Sequence, residues 1–124
     1  METHAKKTLL IKLQNKKYRD AYVSAHVRNG IPYQIRALRD QRKWSQGELE
    51  KRSGKPQNVI SRLEDPNYGK MSIPTLLDLA AAFDVALLVK FVPFSQLLSE
   101  VKDLSPEALS AQSFGEEQKE SCRT

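Results

Sequence analysis

The run Ser45-Gln46-Gly47-Glu48-Leu49-Glu50-Lys51-Arg52-Ser53-Gly54-Lys55-Pro56-Gln57-Asn58-Val59-Ile60-Ser61-Arg62-Leu63-Glu64 decides how this chain folds. Ser45 followed by Glu48 is a capping box, in which the Ser hydroxyl takes a free backbone N–H of the first turn and the Glu reaches back. Trp44 before the cap and Leu49 after it form a hydrophobic staple. The helix so begun is brief, because Gly54 supplies the residue that turns left-handed at a helix end. Pro56 opens another helix at its first turn, where a missing N–H costs nothing. Val59, Ile60 and Leu63 are the buried side of this second helix, which spans 56–64. Two short helices joined by a tight turn containing Gly are the result.

Further helices flank the pair. Downstream, Ser72 caps a helix with Pro74 in its first turn and Leu76, Leu77, Leu79, Ala80 and Phe83 on an apolar face. Upstream, Ile31, Ile35, Leu38 and Arg42 follow helical spacing over 32–43, with Arg36, Arg39, Arg42 and Lys43 directed outward. Asn29-Gly30 before Pro32 reads as a break, so 17–28 is taken as a separate helix carrying Tyr18, Ala21, Tyr22 and Ala25. Residues 1–16 are expected to be an N-terminal arm, frayed over the first eight. Val85 to Val92 is nearly continuous Val, Leu, Phe and Ala, which suits a strand better than a helix. A short helix over 94–102 follows. From Asp103 the Ser-, Glu- and Gln-rich composition predicts a disordered acidic tail over 103–124.

Length and charge set the outer bounds. At 124 residues and 40% hydrophobic content, the chain has material for one modest core. The net charge of +5 conceals an asymmetry. Residues 1–70 hold 16 Lys and Arg against 7 Asp and Glu, whereas residues 100–124 hold 3 against 6. An anion-binding surface therefore belongs to the first 70 residues. Cys122 stands alone, which excludes an intramolecular disulfide. His4 and His26 lack metal-ligand spacing, and neither a metal nor another cofactor is expected. No apolar run is long enough to span a bilayer, no secretory signal is evident, and a cytoplasmic protein is expected. Paired carboxylates, a nucleophile with its base and a phosphate loop are all missing, so no enzyme is predicted.

The 45–64 unit has the helix-turn-helix arrangement, whose second helix enters the DNA major groove. It resembles the lambda-repressor-like, or XRE, family. That family opens the first helix of the unit with Ser/Thr-Gln, here Ser45-Gln46. It places Gly at the ninth position, here Gly54, and opens the recognition helix with Gln, here Gln57. Ile60 and Leu63 match its core positions, and Ile60 to Glu64 matches its Ile-Ser-Arg-Leu-Glu ending. The resemblance covers about residues 32–85 and implies a mainly α, five-helix DNA-binding bundle. To this the chain adds an N-terminal helical extension and a short C-terminal β-strand. The DNA-binding domain with its N-terminal helix is expected over 17–85, and 86–102 as a candidate dimerisation segment.

Residue chemistry supports the roles. A Gln at a helix start can place its amide on adenine N6 and N7, the role expected of Gln57. Asn58, Ser61 and Arg62 share its exposed face. Gln46 lies at a helix N-terminus, where free amides favour phosphate; in the family it also braces the recognition Gln. Lys55, Tyr68 and Lys70 are phosphate candidates. Such side chains on an isolated helix are ordinarily a solvated face; the cap, Gly54, the Gln spacing and the basic flank together favour contact with double-stranded DNA. Two departures stand out. Glu50 occupies a position the family usually gives to Ala, where it must either reach outward or part the two helices. Lys55, before Pro56, cannot cap like Ser or Thr, a loss for which Pro56 partly compensates.

The expected function is a transcriptional regulator, a repressor, binding as a homodimer because one helix reads only a few base pairs. The open strand 86–92 would pair with residues 8–13 or with its copy in a second chain. The stretch Tyr18-Arg19-Asp20-Ala21-Tyr22 resembles the HigA-like antitoxins, which implies the alternative of a type II antitoxin with a cognate toxin as partner.

Overall fold

The computed structural model describes residues 4–101 and 105–123. Its helices are α1 (His4–Lys12), α2 (Lys16–Gln41), α3 (Gln46–Ser53), α4 (Gln57–Leu63), α5 (Ile73–Phe83), α6 (Phe94–Glu100), α7 (Pro106–Leu109) and α8 (Phe114–Arg123). The mainly helical class is as expected. Among the described residues there is no strand.

The core forms where α2, α3, α4 and α5 meet. Ile35 and Leu38 from α2, Leu49 from α3, Ile60 and Leu63 from α4, and Leu76, Leu79 and Phe83 from α5 make one buried cluster. Leu49 and Ile60 are fully buried. Trp44 stacks on Phe83, with centroids 5.6 Å apart and planes 12° from parallel. The expected apolar face of α5 is narrower than its composition suggests, since Leu77 is 52% exposed.

Several expectations are corrected. The predicted helices over 17–28 and 32–43 are one, the 26-residue α2, which runs through Gly30 and Pro32. A proline inside a helix forfeits one backbone hydrogen bond and costs ~3 kcal/mol or more. Here Pro32 is itself buried beside Ile35 and Leu38, and its packing offsets that loss. Local breaking signals yield to tertiary burial. α2 ends with Lys43 at φ 59°, the amide of Trp44 donating to the Arg39 carbonyl (3.0 Å) and that of Lys43 to the Asp40 carbonyl. This is a Schellman ending without its usual glycine.

The N-terminal arm is also more ordered than expected. His4–Lys12 is helical, Leu13 is buried, and Arg19 donates to the carbonyls of Leu13 (2.9 Å) and Gln14 (3.2 Å), locking the corner into α2. Residues 1–3 lie outside the described residues.

The strand expected over 86–92 is absent. A strand needs a partner edge, and residues 8–12, within the stretch expected to pair with it, are helical. Residues 86–91 are exposed, with Leu88 at 76% and Phe91 wholly open to solvent. Their backbone groups hydrogen-bond to no described residue. The short helix after them is found as Phe94–Glu100.

The tail expected to be disordered instead folds back over 105–123 as α7 and α8. Its anchors are distant in sequence. The amide of Ala111 donates to the Gln41 side chain (3.0 Å), and Gln34 donates to the Leu109 carbonyl (3.2 Å). Asp84, the left-handed residue closing α5, accepts from the Phe114 amide at its carbonyl (2.8 Å) and from the Gly115 amide at its carboxylate (3.3 Å). Arg42 completes the clasp, donating to the carbonyls of Phe83 (2.9 Å) and Ala111 (3.0 Å) while lying over the Phe83 ring.

Candidate nucleic-acid interface

Each helix of the central pair is set by local chemistry. The Ser45 hydroxyl accepts the Glu48 amide (3.1 Å), and Gly54 closes α3 at φ 74° with its amide on the Glu50 carbonyl (2.9 Å). Only half of the capping box forms, because the Glu48 carboxylate accepts from Arg52 (2.9 Å). Arg52 in turn lies 4.3 Å over the Trp44 ring. Pro56 is the N-cap of α4 rather than a member of its first turn, and it offers no side-chain cap.

The missing cap comes from α3. Glu50 is exposed, and its carboxylate accepts the backbone N–H of Gln57 at 2.6 Å. So the unusual acid reaches outward without parting the helices: Leu49 and Ile60 beneath it remain fully buried. The two departures from the family pattern compensate one another. Glu50 supplies across the turn what Lys55 and Pro56 cannot.

The other end of α4 is held from α2. Arg39 donates Nε and Nη2 to the two carboxylate oxygens of Glu64, at 2.8 and 2.9 Å, and Nη1 to the Trp44 carbonyl at 2.8 Å. The side chains are 13% and 6% exposed. The bond to Glu64 raises the Arg39 pKa against the opposing effect of burial, so the cation is fixed. Arg42 lies beside Trp44 and Phe83, where burial lowers its pKa. Neither arginine is the outward-facing group that was expected. For Arg39 the missed signal is the helical period, four residues on from Ile35, whereas Arg42 was read on that spacing and still taken to face outward.

What remains outward is a distinct face. Gln57, Asn58, Ser61 and Arg62 are exposed, and their side chains have no hydrogen-bond or ionic partner among the described residues. The Gln46 side chain is half-buried, also unpartnered there, and makes no bond to Gln57, so the brace implied by the resemblance is replaced by Glu50. The expected phosphate contacts divide. Lys70 is exposed and unpaired among the described residues. Lys55 is tied to Asp78 at 2.7 Å. Tyr68 packs against the core cluster. Gly69 beside it takes φ 63°. Arg36 pairs loosely with Asp40 at 3.8 Å, and Lys43 is exposed.

Residues 35–89 match the helix-turn-helix family model. The match supports the lambda-repressor-like, or XRE, helix-turn-helix family for this segment. Within it α3 and α4 are the two helices of the motif. The same match supports DNA-binding transcription regulation in general. No curated protein and no solved structure matches the chain. Among the described residues, no helix of this helix-turn-helix protein is long and apolar enough to cross a membrane. No group of three or more His, Cys, Asp or Glu is placed there to hold a metal ion.

Proposed function

We propose that the protein is a sequence-specific transcriptional repressor of the cytoplasm that inserts α4 into the major groove and works as a homodimer. The observation that carries this reading is the division of labour among polar side chains. Around α4 the cations that stabilise the fold are engaged, Arg39 with Glu64 and Lys55 with Asp78, while Gln57, Asn58, Ser61 and Arg62 stay exposed and unpartnered among the described residues. Gln57 reads adenine, and Arg62 contacts guanine or phosphate. Gln46 and Lys70 hold the backbone, with Tyr68 and Lys55 at the margin; Lys55 must first leave Asp78. This work is binding, with no catalytic step.

One short recognition helix reads only a few base pairs, which favours a second copy. The apolar 86–92 segment, exposed with its backbone unpaired, supports self-association there. The test is binding to a duplex selected from random DNA, with affinity followed against salt. A steep fall is expected as Lys and Arg displace counterions; a flat dependence overturns the reading.

A second reading, an antitoxin that binds its toxin and its own operator, draws support from α1 and the first half of α2. They lie outside the matched segment and expose Tyr18 and Val27. Co-purification with the product of a neighbouring reading frame tests it.

A further inference from the structure

Glu50 stands where the helix-turn-helix presents its reading surface. Its carboxylate is bonded to the backbone amide of Gln57, the residue on which the proposed base readout depends. A carboxylate is an uncommon group to keep at such a place. It is exposed, it carries charge of the same sign as DNA phosphates, and of the cations that follow it Arg52 is committed to Glu48 at 2.9 Å and Lys55 to Asp78 at 2.7 Å. No ion pair involves Glu50 among the described residues. The group therefore costs affinity for any polyanion. What it supplies in return is geometry. α4 has seven residues and no cap of its own, and Gln57 is its first. An uncapped first turn frays, and a side chain on a fraying turn cannot hold two hydrogen bonds to one base edge.

We infer that Glu50 is a specificity-determining positioning residue: by capping Gln57 it aims the base-reading amide, and by its charge it weakens binding to DNA that offers Gln57 nothing to read. Both effects raise the ratio of specific to non-specific binding. The inference rests on the base-reading role of Gln57 given above.

The experiment uses the full chain and the duplex it selects from random DNA, together with variants of that duplex changed one base pair at a time. Gln57→Ala first identifies the base pair that Gln57 discriminates. At that pair, Glu50→Ala is expected to lose about tenfold in discrimination while discrimination at the other pairs holds. Its affinity for random-sequence duplex is expected to rise about two- to fivefold at low salt, because a negative charge has left the DNA face. Glu50→Gln keeps an oxygen that can accept the Gln57 amide. It should retain the discrimination and still show the rise. A merely structural role would lower affinity for every duplex together, and that result overturns the proposal. So does wild-type discrimination in Glu50→Ala when Gln57→Ala has lost it. If Gln57→Ala loses discrimination nowhere, the reading of Gln57 fails first and the proposal with it. Thermal unfolding of each variant separates these outcomes from loss of fold, and Glu50→Gln carries the test should Glu50→Ala unfold.

Discussion

The helix-turn-helix at 45–64 and the apolar segment at 86–92 show opposite ways of leaving a surface unfinished. In the first, the apolar residues Leu49, Ile60 and Leu63 are buried, the backbone is satisfied within the helices, and the loose ends are polar side chains on one face. In the second, Leu88, Val89 and Phe91 face solvent, and the backbone itself is unpaired among the described residues. A surface of the first kind suits a hydrated, charged partner whose groups are met one by one. One of the second kind suits a protein edge that can supply ladder hydrogen bonds and apolar cover together. The difference teaches that this chain finishes the packing of its helix-turn-helix unit by itself, while the packing and backbone pairing of 86–91 are left open among the described residues.

Perturbing each region sharpens the contrast. The largest effect is expected at Arg39. Arg39→Ala leaves Glu64 buried without its partner and should cost about 3–5 kcal/mol of stability in chemical denaturation; a loss below about 1 kcal/mol would show that the unit does not depend on this clamp. Next is Phe91→Asp. Sedimentation should give a monomer, operator affinity should fall about a hundredfold, and the melting temperature of the monomer should scarcely move. If the variant still pairs, the 86–92 segment is not the joint. Gln57→Ala should cost roughly 1–3 kcal/mol on the selected duplex and far less on random DNA. Equal losses on both would make Gln57 a backbone contact. The smallest change is expected for Leu77→Ser, on the open side of α5, at about 0.5 kcal/mol or less, against about 2–5 kcal/mol for Leu79→Ala two residues on. Comparable losses would mean that Leu77 is covered by something in solution.

The parts of this fold that can be read from sequence are those whose determinants sit within a turn or two. Ser45 and Ser72 start α3 and α5 because a cap acts on amides three residues away, and Gly54 ends α3. The polar face from Gln57 to Arg62 is legible for the same reason, since Ile60 and Leu63 fix which side is buried. The rest depends on contacts that no local pattern encodes. The break expected at Asn29-Gly30 and Pro32 is overridden by burial of Pro32. The tail is held by Gln34, Gln41, Arg42 and Asp84, far from it in sequence. The strand failed because alternation and β-branching describe a preference, whereas a strand exists only with a neighbour. Glu50 was visible as an anomaly, but its bond to Gln57 spans a turn whose geometry had first to be known.

The continuity of α2 has a mechanical consequence. Its 26 residues rise about 39 Å, slightly more than one turn of B-DNA. Half of that length belongs to the core that carries α4; the other half projects from it with the corner at Leu13 locked by Arg19. A helix broken at Gly30 would have made the N-terminal end a tethered arm, free to sample many positions. An unbroken one makes it a spacer. The exposed Tyr18 end is thereby set along one rigid axis from Ile35, Leu38 and Arg39, the residues beside which α4 is seated.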